Sequence, residues 1–182
     1  MKTYNIIGGV NGAGKSSLTG VLLAERNLGT VIDIDKLSKR KGLTNIEAGR
    51  EAIATIESLI DNGDTFTQET TLSGSRTLNT VRKAKAAGYR ICLFYVGLDD
   101  IQEHFARIAN RVSKGGHDIA TEDVTRRFEG RFDTLPKLLP LCDEVSLYDN
   151  DNGFTKVGEY KNSQLFVLSS APKWLKELES MI

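Results

Sequence analysis

The stretch Tyr4-Asn5-Ile6-Ile7-Gly8-Gly9-Val10-Asn11-Gly12-Ala13-Gly14-Lys15-Ser16-Ser17-Leu18 decides how this sequence is read. Tyr4 to Ile7 is a short apolar run of the kind that forms a strand, and glycines interrupt it at once. From Ser16 to Glu25 the pattern turns helical, with Leu18, Val21 and Leu22 on one stripe. A strand that passes through Gly9-x-x-x-x-Gly14-Lys15-Ser16 into a helix is the pattern of a phosphate-binding loop. Small residues let consecutive backbone N–H groups converge on a phosphate at the positive end of the new helix. Lys15 is spaced to reach the β- and γ-phosphates, and the Ser16 hydroxyl to ligate Mg²⁺. The expected ligands are therefore a nucleoside triphosphate and Mg²⁺. Gly9, Asn11, Gly12, Ala13, Gly14, Lys15, Ser16 and Ser17 form the expected nucleotide site, with Ser16 on the metal.

Outward from the loop, short apolar runs alternate with helical patterns. Thr30 to Ile34 predicts a second strand, Glu47 to Ile60 a helix ended by Asn62-Gly63, and Thr65 to Gln68 a third strand. Arg76 to Ala87 predicts a helix closed by Gly88. Arg90 to Val96, the longest apolar run, predicts a central strand buried on both faces. Asp99 or Asp100 is placed to cap a helix carrying Ile101, Phe105 and Ile108. Thr121 is placed to cap another, with Val124, Phe128, Phe132 and Leu135 on one face. Glu144 to Tyr148 predicts a last buried strand. Phe154 to Tyr160 and Gln164 to Leu168 can pair as an edge hairpin, and Lys173 to Met181 predicts a closing helix. Strands spaced by helices call for parallel βαβ units, so the expectation is one α/β domain over 1–182.

The 24 basic and 24 acidic side chains leave a formal net charge of zero, which excludes binding of nucleic acid through bulk charge. No apolar run reaches the length of a membrane span, and the first residues turn to glycine before a signal-peptide core forms. Cys92 and Cys142 are isolated thiols, expected in the core of a reduced, cytoplasmic protein without structural metal or disulfide.

A phosphate loop in a chain of this size suggests a kinase of small molecules, which needs a base, an acceptor cradle and a cationic lid. Val31-Ile32-Asp33-Ile34-Asp35 ends the second strand with two acids that share one face if the chain stays extended. Such a carboxylate accepts a proton from an acceptor hydroxyl or holds Mg²⁺ through water; Asp35, further out, is the favoured base, and Asp33 is an acceptor contact or structural. Both acids could instead be solvated beside Lys36, Lys39, Arg40 and Lys41. After the third strand, Glu69 is suited to a sugar hydroxyl and Thr70 or Thr71 to a phosphate or amide, unless the loop only caps the next helix through Ser73 or Ser75. Arg107 and Arg111 share a helix face, and Arg126 and Arg127 follow a Gly115-Gly116 hinge. Together they resemble a lid over about 107–131 that closes on triphosphate. The other reading is a solvated face paired with Glu103, Glu122, Asp123 and Glu129. His117 would contact phosphate or lie exposed, and His104 would be structural or exposed.

These pieces, in order, resemble the zeta-toxin family of P-loop kinases in a short form. The resemblance rests on Gly9 to Ser17, Asp35, Gln68 to Gly74, Ala86-Ala87-Gly88-Tyr89, Arg111-Val112, Gly115 to Asp118, Arg126-Arg127-Phe128 and Tyr148-Asp149-Asn150. It implies a three-layer fold with a parallel sheet of about five strands ordered 2-3-1-4-5 and helices on both faces. It implies ATP-dependent phosphorylation of a sugar hydroxyl, the 3′-hydroxyl of UDP-N-acetylglucosamine in characterised members. Carried over by residue, Asp35 is the base, Glu69 an acceptor contact with Thr71 nearby, and Arg111 and Arg127 act on the transferring phosphate. It further implies a small helical antitoxin that covers the ATP site. Ala120 stands where proline is common and Asp151 where serine is common, and the extra segments of larger toxins are absent. Kinase chemistry therefore carries over better than acceptor identity. A free sugar, an antibiotic or a dinucleotide is an alternative acceptor, and an ATP-responsive binding module without transfer is a reading from another class.

Overall fold

A computed structural model describes residues 1–168 and 170–182. Among the described residues, seven strands form one sheet in the order β2-β3-β1-β4-β5-β6-β7. The first five are β1 (Thr3–Gly8), β2 (Thr30–Asp33), β3 (Phe66–Thr70), β4 (Arg90–Gly97) and β5 (Glu144–Asp149), all paired in parallel. The expected order 2-3-1-4-5 is present, but the sheet is larger than five strands and partly antiparallel. β6 (Thr155–Lys161) and β7 (Gln164–Val167) extend it beyond β5. The reason is local. The turn after β5 is too short for a crossover helix, so the chain can only return antiparallel.

Side-chain alternation along the central strands creates two cores. In β4, Ile91, Leu93 and Tyr95 point to one face while Cys92, Phe94 and Val96 point to the other. The first face packs against α3 (Asn45–Asn62), α4 (Arg76–Ala86), α7 (Leu135–Leu138) and α8 (Lys173–Glu179). The second is covered by α1 (Lys15–Leu23) through Leu18 and Leu22. Helix ends follow their caps. Thr44 and Glu47 form a reciprocal capping box at the start of α3, and Gly63 ends it in the left-handed region.

Asp100 caps α5 (Ile101–Ser113) by accepting from the Gln102 N–H at 2.9 Å. Asp99 instead accepts the N–H groups of Lys173 and Trp174 and fixes the start of α8. Thr121 is not the cap of α6 (Thr121–Glu129): Ala120 holds that position without a side-chain bond, and Thr121 lies in the first turn. Cys92 is buried in the core, whereas Cys142 is only half-buried; both are free thiols. No helix among the described residues is long and apolar enough to cross a membrane.

Candidate active site

All the strands of the parallel set end at one edge, where loops leave a cleft of about 1600 Å³. Its floor is the loop between β1 and α1. Gly12 has φ +83°, and a Cβ there would come within 2.8 Å of the His104 carbonyl oxygen. Gly14 has φ +107°, and a Cβ there would lie 2.4 Å from Asn150 Nδ2. Both positions therefore require glycine, for conformation and for space. The loop's carbonyls turn outward and find donors. Lys15 Nζ donates to Gly9 O at 2.8 Å and Val10 O at 3.2 Å, and Asn150 Nδ2 donates to Ala13 O at 2.8 Å. Burial draws the Lys15 ammonium below the ordinary lysine pKa, against the opposing pull of Glu69, Asp35 and Asp33.

Asp33 and Asp35 are not on one extended face. β2 stops at Asp33, whose Oδ1 accepts the N–H groups of Asp35 at 3.0 Å and Lys36 at 3.2 Å and so caps α2 (Ile34–Lys41). Asp35 thus sits in the first turn of a helix, where the dipole favours its charge, and it lines the cleft. Asp33 also meets Lys36 Nζ at 3.2 Å.

Glu69, next to last in β3, lies opposite Ile7, beside the strand that launches the loop. Its side chain is 3 % exposed. Oε2 accepts the Ser16 hydroxyl at 2.7 Å, and Oε1 lies 2.7 Å from the Thr19 hydroxyl and 3.5 Å from Lys36 Nζ. This carboxylate is hydrogen-bonded to the start of α1, and it lines the cleft. Hydroxyl and carboxylate oxygens are the donors Mg²⁺ prefers, and that ion is usually held by one or two protein oxygens together with phosphates. Ser16, Glu69 and Asp33 fit such a role. No cluster of three or more His, Cys, Asp or Glu that could cage a metal is present among the described residues. Thr71 lines the cleft, its hydroxyl 3.0 Å from that of Ser73.

Opposite these acids lie α5 and α6, joined through Gly115 and Gly116. Arg111 Nη2 donates to His117 O at 2.6 Å, and its Nε has no partner although it is buried. Arg127 Nη1 donates to Asn11 Oδ1 at 2.7 Å. Arg107 Nη2 donates to Asn150 O at 2.7 Å and its Nε lies 3.6 Å from Glu103. Arg126 lines the cleft yet pairs with Asp123, its side chain 70 % exposed. His117 is exposed at the rim. A small cluster of Val10, Ile108 and Val124, with Phe105, Ile119 and Phe128 against it, holds these helices on the loop, separate from both main cores. With so few buried residues, this contact should be cheaper to open than the two main cores.

Several contributors carry weaker sequence signals. Thr19 is one helical turn beyond Lys15 and differs from no ordinary helical threonine until β3 is beside it. Lys36 reads as one of several lysines. Asn150 follows β5 at the ligand-binding edge of the sheet, a positional cue. His104, three residues before Arg107 on the same helix face, is 1 % exposed and bonds to the loop.

No family model matches the chain. An uncharacterized protein of Haemophilus influenzae is 34% identical over 125 residues, which cover 66% of this chain and 88% of that protein. Among solved structures, a chain of the AvrRxo1-ORF1:AvrRxo1-ORF2 complex with sulphate ions superposes with a TM-score of 0.72 at 13% identity. That match covers 98% of this chain and 64% of the other, so the present chain spans about two thirds of that protein; the same complex has also been solved with ATP. A chain of the PezAT chromosomal toxin-antitoxin system of Streptococcus pneumoniae superposes with a TM-score of 0.65 at 17% identity, covering 100% of this chain and 83% of the other. At such identities the likeness shows the fold alone, one that this chain shares with both of those chains.

Proposed function

This chain belongs to the same family as the uncharacterized Haemophilus influenzae protein, and on that premise, with its zeta-toxin-like kinase fold, we propose that it is an ATP-dependent kinase of a small molecule. The observation that carries this reading is the convergence of the phosphate loop, Asp35, Glu69 and the lid arginines on one cleft. A module that only bound ATP would need neither the acid nor the second compartment.

In the proposed reaction ATP lies with its phosphates over Gly12 to Ser16, and Lys15 leaves the Gly9 and Val10 carbonyls for the β- and γ-oxygens. Mg²⁺, when bound, supplies positive charge to the phosphate oxygens from the side of Ser16, Glu69 and Asp33. Asp35 accepts the proton of the acceptor hydroxyl as its oxygen bonds to the γ-phosphorus and the bond to the β-phosphate oxygen breaks. Arg111 and Arg127 neutralise charge on the equatorial oxygens of the moving group. Arg107, held by Asn150, steadies the lid; Arg126 and His117 are contacts at the rim.

Beyond Asp35 the cleft continues between α3 and α4, past Ile53, Ile56, Arg76 and Thr80. That length, mixed in apolar and cationic groups, suits a nucleotide sugar better than a free monosaccharide. We therefore favour a sugar hydroxyl of UDP-N-acetylglucosamine or a related compound, with Thr71 and Asp33 near it. The 182 residues act as one kinase domain, in the cytoplasm where ATP is supplied, and a small helical antitoxin over the ATP site is the partner this reading favours. The test is transfer from labelled ATP to a metabolite pool and to UDP-N-acetylglucosamine, read by mass. A product heavier by one phosphoryl group is expected. Labelled product from no acceptor, with ATP still bound, would leave the binding module as the reading.

A further inference from the structure

The least conspicuous residue near the cleft is His104. It faces away from the ligand space, and its ring Nδ1 lies 2.7 Å from the backbone oxygen of Asn11. Because a carbonyl can only accept, Nδ1 carries the proton and the ring donates. A trans peptide holds its C=O and N–H antiparallel. Pulling the Asn11 oxygen outward therefore aims the Gly12 N–H inward, toward the space a phosphate would fill. The same helix position also sets the ceiling above Gly12, through the His104 main chain.

Asn11 is gripped a second time, since its side-chain oxygen accepts Arg127 Nη1 at 2.7 Å. The ring of His104 in turn meets Phe128, the neighbour of Arg127, edge-on with centroids 5.5 Å apart. One loop residue is thus held through its main chain from α5 and through its side chain from α6. We propose that His104 is a positioning residue: by fixing the Asn11 peptide it presets the Gly12 N–H for phosphate and the Asn11 side chain that locates Arg127. The group never touches substrate. Its effect passes through a buried carbonyl that would otherwise lack a donor, which is the costly case for a hydrogen bond.

The inference rests on the nucleotide-binding part of the proposed function and not on the acceptor. It is tested with a non-hydrolysable ATP analogue and Mg²⁺, by calorimetric titration of the full chain. Three variants separate donor from packing. His104→Asn places an amide N–H near the position of Nδ1, His104→Gln places it one carbon further away, and His104→Leu fills space without a donor. Leu and Gln are expected to weaken the analogue about tenfold or more, and Asn to restore most of that loss. Hydrogen exchange at the amides of residues 12–15 should quicken in the Leu and Gln variants only. Equal affinity in Asn and Gln at matched Tm, or unchanged affinity in both, would overturn the proposal; this pair decides it even if the Leu variant does not fold. If the wild type binds the analogue and phosphorylates no acceptor, the kinase reading fails while this inference stands.

Discussion

Ser16 and Glu69, 53 residues apart in the chain, are joined by a 2.7 Å hydrogen bond from hydroxyl to carboxylate. The bond forms because β3, which carries Glu69 near its end, lies parallel to β1, the strand that opens the phosphate loop and leads into α1. It ties the expected metal-binding hydroxyl to a buried negative charge. Replacing Glu69 by Gln keeps the shape and removes that charge. The half-saturating Mg²⁺ concentration for transfer should rise about 10- to 100-fold, and the Mg²⁺ needed to tighten ATP-analogue binding should rise with it. Titration of metal at fixed nucleotide measures both; an unchanged metal requirement would remove Glu69 from this role.

Asp35→Asn should lower kcat by about 10²- to 10⁴-fold, the usual worth of a positioned general base. ATP-analogue affinity should stay within about twofold, since the proposed base acts on the acceptor hydroxyl and not on the nucleotide. Turnover near that of the wild type would assign the base elsewhere.

Arg111→Ala and Arg127→Ala should each cost about 10²- to 10³-fold in kcat, as expected for a donor aimed at charge that develops during transfer. Arg126, a cleft-lining residue paired with Asp123 at the surface, should cost far less, because an exposed pair contributes little. Steady-state kinetics of the three variants rank them; equal losses would show that the lid acts only as a block of charge.

The closing helix is predicted to carry stability rather than chemistry. Trp174 is 1 % exposed, packs against Gly97 and Tyr95, and donates its indole N–H to Asp149 at 2.9 Å. Trp174→Ala should destabilise the chain by about 3–5 kcal/mol. Thermal unfolding would then shift by roughly 6–20 °C for a domain of this size.

His104 also gives a pH signature. Burial pushes its pKa down from 6.5 to about 4; the bond to Asn11 opposes this, and Lys15, Arg107 and Arg131 add positive charge around it. Between those two values the unfolded chain takes up a proton that the folded chain refuses, so stability rises with pH across the window. The contribution is complete above pH 6.5 and falls by about 3 kcal/mol as pH drops to 4. Denaturant unfolding of the wild type against His104→Asn measures it, and the variant should show a flatter dependence over that range.

Much of the site was legible because its chemistry is local. Gly9 to Ser16 needs only a strand before it and a helix after it, and both are written in adjacent residues. The hinge at Gly115-Gly116 and the arginines on either side are equally local. The two acids were less so. Alternation along a strand predicts a shared face for Asp33 and Asp35, but a short acidic side chain at a strand end competes for the next N–H groups, and capping converts the extension into a helix. The antiparallel pair was legible as an edge hairpin, while the seven-stranded mixed sheet it makes with the parallel strands was larger than the five strands expected.

What the sequence determined by itself is the phosphate loop, the alternation of strands and helices and the polarity of the lid, since each depends on neighbours within a few residues. What only the tertiary structure decided is which side chains face one another across the cleft. Glu69 reaches the Ser16 and Thr19 hydroxyls only because β3 lies beside β1, and His104, readable from sequence as structural or exposed, is buried with its ring on the Asn11 carbonyl. Spacing along a chain fixes local geometry, but a hydrogen bond between residues 53 or 93 positions apart exists only once packing has paid the entropy of bringing them together.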